Sequence, residues 1–169
     1  MRGGSLTLAE AAEQVIAKHD RPEVVLVSGM VDLAAWLGFS RRFLGDPAVV
    51  LYLHENQLVY PLGPGQRPDE GLQIAIWTSM AVADEVWCNS TYQRDSLFRA
   101  LPSLLSRAPD NSHVHRLEGV RDACRVVPVG VELSDIPTRG ITHDAVSYTH
   151  LRAHETDSSV VCRLLLEKK

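Results

Sequence analysis

Ala48-Val49-Val50-Leu51-Tyr52-Leu53-His54-Glu55-Asn56-Gln57 joins an apolar run of six residues to four consecutive polar side chains. A continuous apolar segment this short, ending abruptly in polarity, is the pattern of a parallel strand covered on both faces. Segments of the same kind lie on either side: Glu23-Val24-Val25-Leu26-Val27-Ser28 before it, then Glu85-Val86-Trp87-Cys88 and Arg125-Val126-Val127-Pro128-Val129 after it. The stretches between them have helical spacing. Leu8, Ala12, Val15, Ile16 and His19 share one face, and Val31 to Leu44 is apolar almost all round, as a helix covered by its neighbours would be. Gly71 to Ala83 is similarly apolar. Tyr92 to Leu105 is amphipathic through Leu97, Phe98, Leu101, Leu104 and Leu105, with Asn89 or Ser90 placed to cap it. Strands alternating with helices predict right-handed crossovers and a mainly parallel sheet. The expected fold is therefore α/β, a Rossmann-like three-layer α/β/α sandwich. Pro102 to Arg121 reads as an irregular, polar excursion.

The 169 residues suit about one domain. Apolar and charged residues occur in ordinary globular proportion, and no apolar stretch is long enough to span a membrane. Met1-Arg2-Gly3-Gly4-Ser5 has no apolar core behind it, so a secretory signal is not expected, and Cys88, Cys124 and Cys162, far apart and odd in number, read as reduced cytoplasmic thiols. The net charge of −4 argues against a chain that grips nucleic acid through its charge alone. From Val146 onward the text changes character. Val146 to Glu155 back-translates into a transposase-type sequencing-adapter string, and Cys162 to Lys168 into another adapter end. Residues 145–169 are therefore expected to be adapter read-through and 1–144 native, the alternative being a genuine strand and helix carrying His150 and His154 at i, i+4 spacing.

In an open parallel sheet, chemistry gathers beyond the carboxyl ends of the strands. The sharpest exit is His54-Glu55-Asn56-Gln57, followed by a long loop rich in glycine and proline (Gly63, Pro64, Gly65, Pro68). A neutral imidazole offers one donor and one acceptor, a carboxylate only acceptors, and the two amides both; this mixture suits a polyol or a base better than a phosphate. The plainer reading is that His54 and Glu55 satisfy backbone groups at the strand end. After the first strand come Ser28-Gly29-Met30, with Gly29 permitting a tight turn; after the third come Asn89-Ser90-Thr91, a cap rather than a glycosylation sequon. Gly63-Pro64-Gly65 is not a dinucleotide fingerprint. His113, His115 and Arg116 read as solvated surface, and no nucleophile–base–acid arrangement or metal-ligand spacing emerges at the strand exits.

The segment Val50 to Pro61, with His54-Glu55-Asn56-Gln57 and Tyr60-Pro61 at its centre, resembles the signature of the tRNA-queuosine α-mannosyltransferase family. The likeness continues through Gln73, Ser79 to Val86, Asn89 to Leu97, Met1 to Gly4 and Met30 to Ala34. The resemblance implies the N-terminal, acceptor-side half of a GT-B glycosyltransferase that moves mannose from GDP-mannose to queuosine in tRNA with retention. It implies no cofactor and no obligate metal. The nucleotide-sugar donor would be bound mainly by a C-terminal domain expected beyond this chain, as an opening strand is expected before Met1. On this reading His54 is the catalytic hydrogen-bonding group, while Glu55, Asn56, Gln57, Tyr60, Asn89 and Ser90 bind substrate, with Tyr60 able to stack on a splayed base. The acceptor partner would be queuosine-carrying tRNA, in the cytoplasm and away from membranes. Alternatives are a GT-B enzyme with another acceptor, a non-catalytic α/β binding module, and a fragment inactive alone.

Overall fold

In the computed structural model, which describes residues 4–130, the strands β1 (Val24–Ser28), β2 (Ala48–Leu53), β3 (Glu85–Cys88) and β4 (Cys124–Val126) form one sheet in that order. All three pairings are parallel. The helices are α1 (Gly4–Ile16), α2 (Leu33–Ser40), α3 (Glu70–Val82), α4 (Thr91–Leu105) and α5 (Leu117–Asp122), with a 3-10 turn at Val114–Arg116. The fold is Rossmann-like α/β, as the alternation of patterns predicts.

Register decides which face is core. Val27 lies opposite Leu51, Leu51 opposite Val86, and Leu53 opposite Cys88, so these side chains share one face of the pleat. They pack with Leu33 and Trp36 of α2, Ile76, Trp77 and Met80 of α3, and Leu97 and Leu101 of α4 in one apolar cluster. Leu33, Leu51, Leu97 and Leu101 are wholly buried, and each such side chain stabilises the fold by about 1.5–3 kcal/mol. Strands added in sequence order through right-handed crossovers place their connecting helices on a single face.

The other face carries Val24, Leu26, Val50, Tyr52 and Trp87. The expectation that every strand is buried on both sides fails at β1, where Val24 is 58% and Leu26 61% exposed. The reason is position: β1 is an edge strand, and the helices of the described residues lie against the opposite face.

Helix starts are set by short polar side chains. Asp32 accepts from the Ala35 N–H and Asp69 from the Leu72 N–H, each at 3.0 Å. The helix expected over Val31 to Leu44 is therefore α2 alone, beginning after its Asp32 cap and ending at Ser40, with Phe39 exposed rather than covered. Ser79 Oγ of α3 accepts from the buried Leu33 N–H at 3.0 Å and donates to the Ala75 carbonyl, tying α3 to the first turn of α2. The excursion expected over Pro102 to Arg121 is more regular than its composition suggests. Helix α4 continues through Pro102 to Leu105, residues 106–113 are irregular as expected, and the 3-10 turn and α5 follow from Val114. Strand β4 ends at Val126, ahead of Pro128, which has no N–H to extend the ladder. No helix of the described residues is long and apolar enough to cross a membrane. The boundary expected at 144/145, and the adapter-like segment with His150 and His154, lie outside the described residues.

Candidate functional site at the carboxyl edge of the sheet

His54 follows the last residue of β2, and the alternation of the strand turns its side chain away from the helical layer, above Tyr52. The two rings meet edge-on, with centroids 4.7 Å apart and planes at 79°. The imidazole is exposed, and its nitrogens bond to no group among the described residues. Its support is firm. The Tyr52 hydroxyl donates to the Val127 carbonyl at 3.0 Å, and its ring meets that of Trp87 edge-on at 6.4 Å. The Trp87 indole N–H donates to Glu85, which also pairs with Arg125 at 2.9 Å.

The neighbouring polar residues divide into two kinds. Asn56 and Asn89 spend their amides on the protein. Asn56 Nδ2 donates to Ser96 Oγ at 2.9 Å and its Oδ1 accepts from the Leu58 N–H at 3.1 Å, so the chain after Glu55 turns and is pinned to α4. Asn89 Nδ2 donates to the His54 carbonyl at 3.0 Å while its Oδ1 accepts from the Ser90 hydroxyl, which joins the exits of β2 and β3. Gln57 Nε2 donates to Glu55 Oε2 at 2.8 Å, and the Gln57 carbonyl accepts from Gln73 Nε2 of α3 at 3.3 Å. The outward groups are His54, Glu55 and Tyr60, the last 54% exposed in the loop that follows. The structure thus brings together His54, Glu55, Asn56, Gln57, Asn89 and Ser90, whereas no hydrogen bond or ring contact joins Tyr60 to them.

Sequence reasoning passed over Gln93 and Ser96, which hold this rim from beneath. Ser90 caps α4 by accepting from the Gln93 N–H at 3.2 Å, and Gln93 Oε1 reaches back to the Asn89 N–H at 2.8 Å. Ser96 Oγ donates to the Gln93 carbonyl and accepts from Asn56. The pattern Ser90-x-x-Gln93 is a capping box legible in the sequence. Gln93 Nε2 is buried without a partner.

An imidazole and a carboxylate set on a hydrogen-bonded base suit recognition of hydroxyl groups, each supplying directional donors or acceptors. The rim is open. Two cavities of about 390 and 250 Å³ lie at the other edge of the sheet, between the C-terminal half of α3 and the 3-10 turn with α5. Among the described residues no group of three or more His, Cys, Asp or Glu is placed to hold a metal ion.

Comparison with known proteins agrees with the likeness read from the rim. The model of one family, tRNA-queuosine alpha-mannosyltransferase N-terminal, matches residues 1–131, which include every residue of the rim. The tRNA-queuosine alpha-mannosyltransferase of Drosophila melanogaster is 28% identical over 126 residues, 75% of this chain and 33% of that protein. The chain therefore spans about a third of the length of this relative. No solved structure matches the chain.

Proposed function

The chain belongs to the tRNA-queuosine alpha-mannosyltransferase N-terminal family, and from that membership we propose that it is the acceptor-side part of a retaining GT-B mannosyltransferase. The donor would be GDP-mannose, held mainly by a further domain, and the acceptor a hydroxyl of queuosine in cytoplasmic tRNA. The observation that carries this reading is the family match over residues 1–131, which takes in the whole carboxyl rim of the sheet.

On this reading the acceptor hydroxyl attacks the sugar on the face from which the diphosphate departs. His54 acts by hydrogen bonding, as an exposed imidazole whose nitrogens bond to no group among the described residues, to the acceptor hydroxyl or the donor sugar. Glu55 supplies acceptors for the cyclopentenediol, and Tyr60 a ring on which a splayed base stacks. Asn56, Gln57, Asn89 and Ser90 contribute through the network that fixes where His54 and Glu55 stand. Charge on the leaving diphosphate would be met by protein dipoles and cations from the donor side.

One observation favours a different acceptor. The chain carries a net charge of −4, with 17 basic against 21 acidic side chains, and Arg94, Arg107 and Arg125 are each paired with a carboxylate rather than facing a phosphate backbone. Mass spectrometry of tRNA nucleosides from cells lacking the parent gene separates the two readings. Loss of mannosyl-queuosine with accumulation of queuosine is the expected result; an unchanged nucleoside profile removes tRNA as the acceptor.

A further inference from the structure

Cys88 and Cys124 are 36 positions apart in the chain, yet β3 and β4 are neighbours, and the two sulfurs lie 3.4 Å from each other. Both are free thiols on the face of the sheet that packs against the helices. Their environments differ. Cys88 is wholly buried, whereas Cys124, on the outer strand, is only half-buried. A hydrogen bond from the Cys88 thiol, together with the charges of Arg94 and Arg121, draws the Cys124 thiol below its ordinary value of 9.0. The same contact and burial hold Cys88 in its protonated form. The more accessible sulfur is thus the more easily ionised one, and ionisation and access together govern thiol reactivity.

We propose that Cys124 and Cys88 form a reversible oxidation site, with Cys124 as the attacking sulfur, Cys88 as the resolving sulfur and a hydroperoxide as the oxidant. The Cys124 thiolate attacks one oxygen of the peroxide, the O–O bond breaks, and hydroxide leaves, making Cys124 a sulfenic acid. The Cys88 sulfur then attacks the Cys124 sulfur. The S–O bond breaks, the departing hydroxide becomes water with the proton that Cys124 released on ionising, and the proton of Cys88 is taken up by the first hydroxide. Two thiols and one hydroperoxide give one disulfide and two waters, or water and an alcohol where the peroxide is alkyl. The sulfurs must approach by about 1.4 Å to reach bonding distance, and because Cys88 lies opposite Val126 and Cys124 opposite Val86, closure draws on movement of the outer strand β4 as well as of the Cys124 side chain. Because Cys88 directly precedes Asn89, the crosslink forms beneath the residue that ties the β3 exit to His54.

The test uses the full chain with Cys162→Ser, treated with one equivalent of hydrogen peroxide at neutral pH and digested without reductant. The expected product is a peptide pair joined through Cys88 and Cys124, lighter by two hydrogens and separated again by dithiothreitol. In the Cys88→Ala background, given excess peroxide, Cys124 should go on to sulfinic acid instead; in the Cys124→Ser background, Cys88 should remain a thiol while the protein is native. The proposal is overturned if the parent chain over-oxidises Cys124 without a crosslink. It is equally overturned if Cys88 is oxidised in Cys124→Ser as fast as in the parent. Circular dichroism of each variant before treatment identifies any that has lost its fold, and the parent digest decides the matter in that case.

Discussion

A Cβ at Gly29 would stand 2.8 Å from Leu53 Cδ2 and 3.3 Å from the Leu53 Cα, while the Gly29 N–H donates to the Tyr52 carbonyl at 2.7 Å. The glycine was expected from the sequence to permit a tight turn, and a turn is there, closed by the Val31 N–H on the Ser28 carbonyl. Its φ is not positive, however; the requirement is for close approach of two chains at the exits of β1 and β2. Gly29→Ala should therefore lower stability by about 1–3 kcal/mol, read as a lower urea midpoint, because the buried Leu53 has nowhere to retreat. His54 and Asn56 should behave in opposite ways. Asn56→Ala leaves the Leu58 N–H and Ser96 hydroxyl short of partners and should cost about 1–3 kcal/mol of folding stability. His54→Ala removes an exposed ring and should leave stability within about 0.5 kcal/mol. In the complete parent enzyme the same change should lower kcat/KM for mannosyl transfer by about tenfold or more, the worth of one transition-state hydrogen bond. Unchanged transfer with a lowered urea midpoint would make His54 a packing residue instead.

Elements were legible where their signals are local. The apolar runs of β2 and β3 and the spacing of α4 can be read from neighbouring residues, and so can the Ser90-x-x-Gln93 box, since capping involves groups three positions apart. What escapes such reading are contacts made where elements cross. Ser79 looks like an ordinary polar residue within α3, but it satisfies the N–H of Leu33, one of the donors that a helix start leaves without an internal partner. Ser79→Ala should therefore cost about 1–3 kcal/mol, since Leu33 is wholly buried and no water replaces the hydroxyl. Thermal melts of the chain with and without the substitution measure it, and hydrogen exchange should quicken at the first turn of α2 rather than in α3. A uniform loss of protection would show instead that Ser79 acts through packing of the whole helical layer.

At the scale of the molecule, the parallel sheet could be inferred from the alternation of strand and helix, but strand order could not, because it depends on which edges meet in space. Order decides much of the rest. It sets β3 beside β2, so that Asn89 reaches His54 across 35 positions, and sets β4 beside β3, so that two distant cysteines come into contact. His54 to Gln57 could thus be singled out from their own stretch, whereas Gln93 and Ser96, which support them, could not be joined to them without that pairing. Among the described residues, order also leaves β1 at an edge. An apolar strand as an unshielded edge offers its free backbone groups to any other chain, and natural edges are usually protected by charge or bulges. Here Val24 and Leu26 stand exposed on that edge with no Lys or Arg among residues 24–28. The chain expressed alone should accordingly self-associate. Sedimentation of the purified chain at rising concentration should show species heavier than the monomer, and the double change Val24→Lys with Leu26→Lys should raise the monomeric fraction several-fold. Both side chains point away from the helical layer, so the helical core should be retained and the far-ultraviolet circular dichroism spectrum should be unaltered. If the unaltered chain is already monomeric across that range, the exposed strand is not the cohesive element, and the apolar residues of β1 have no part in association.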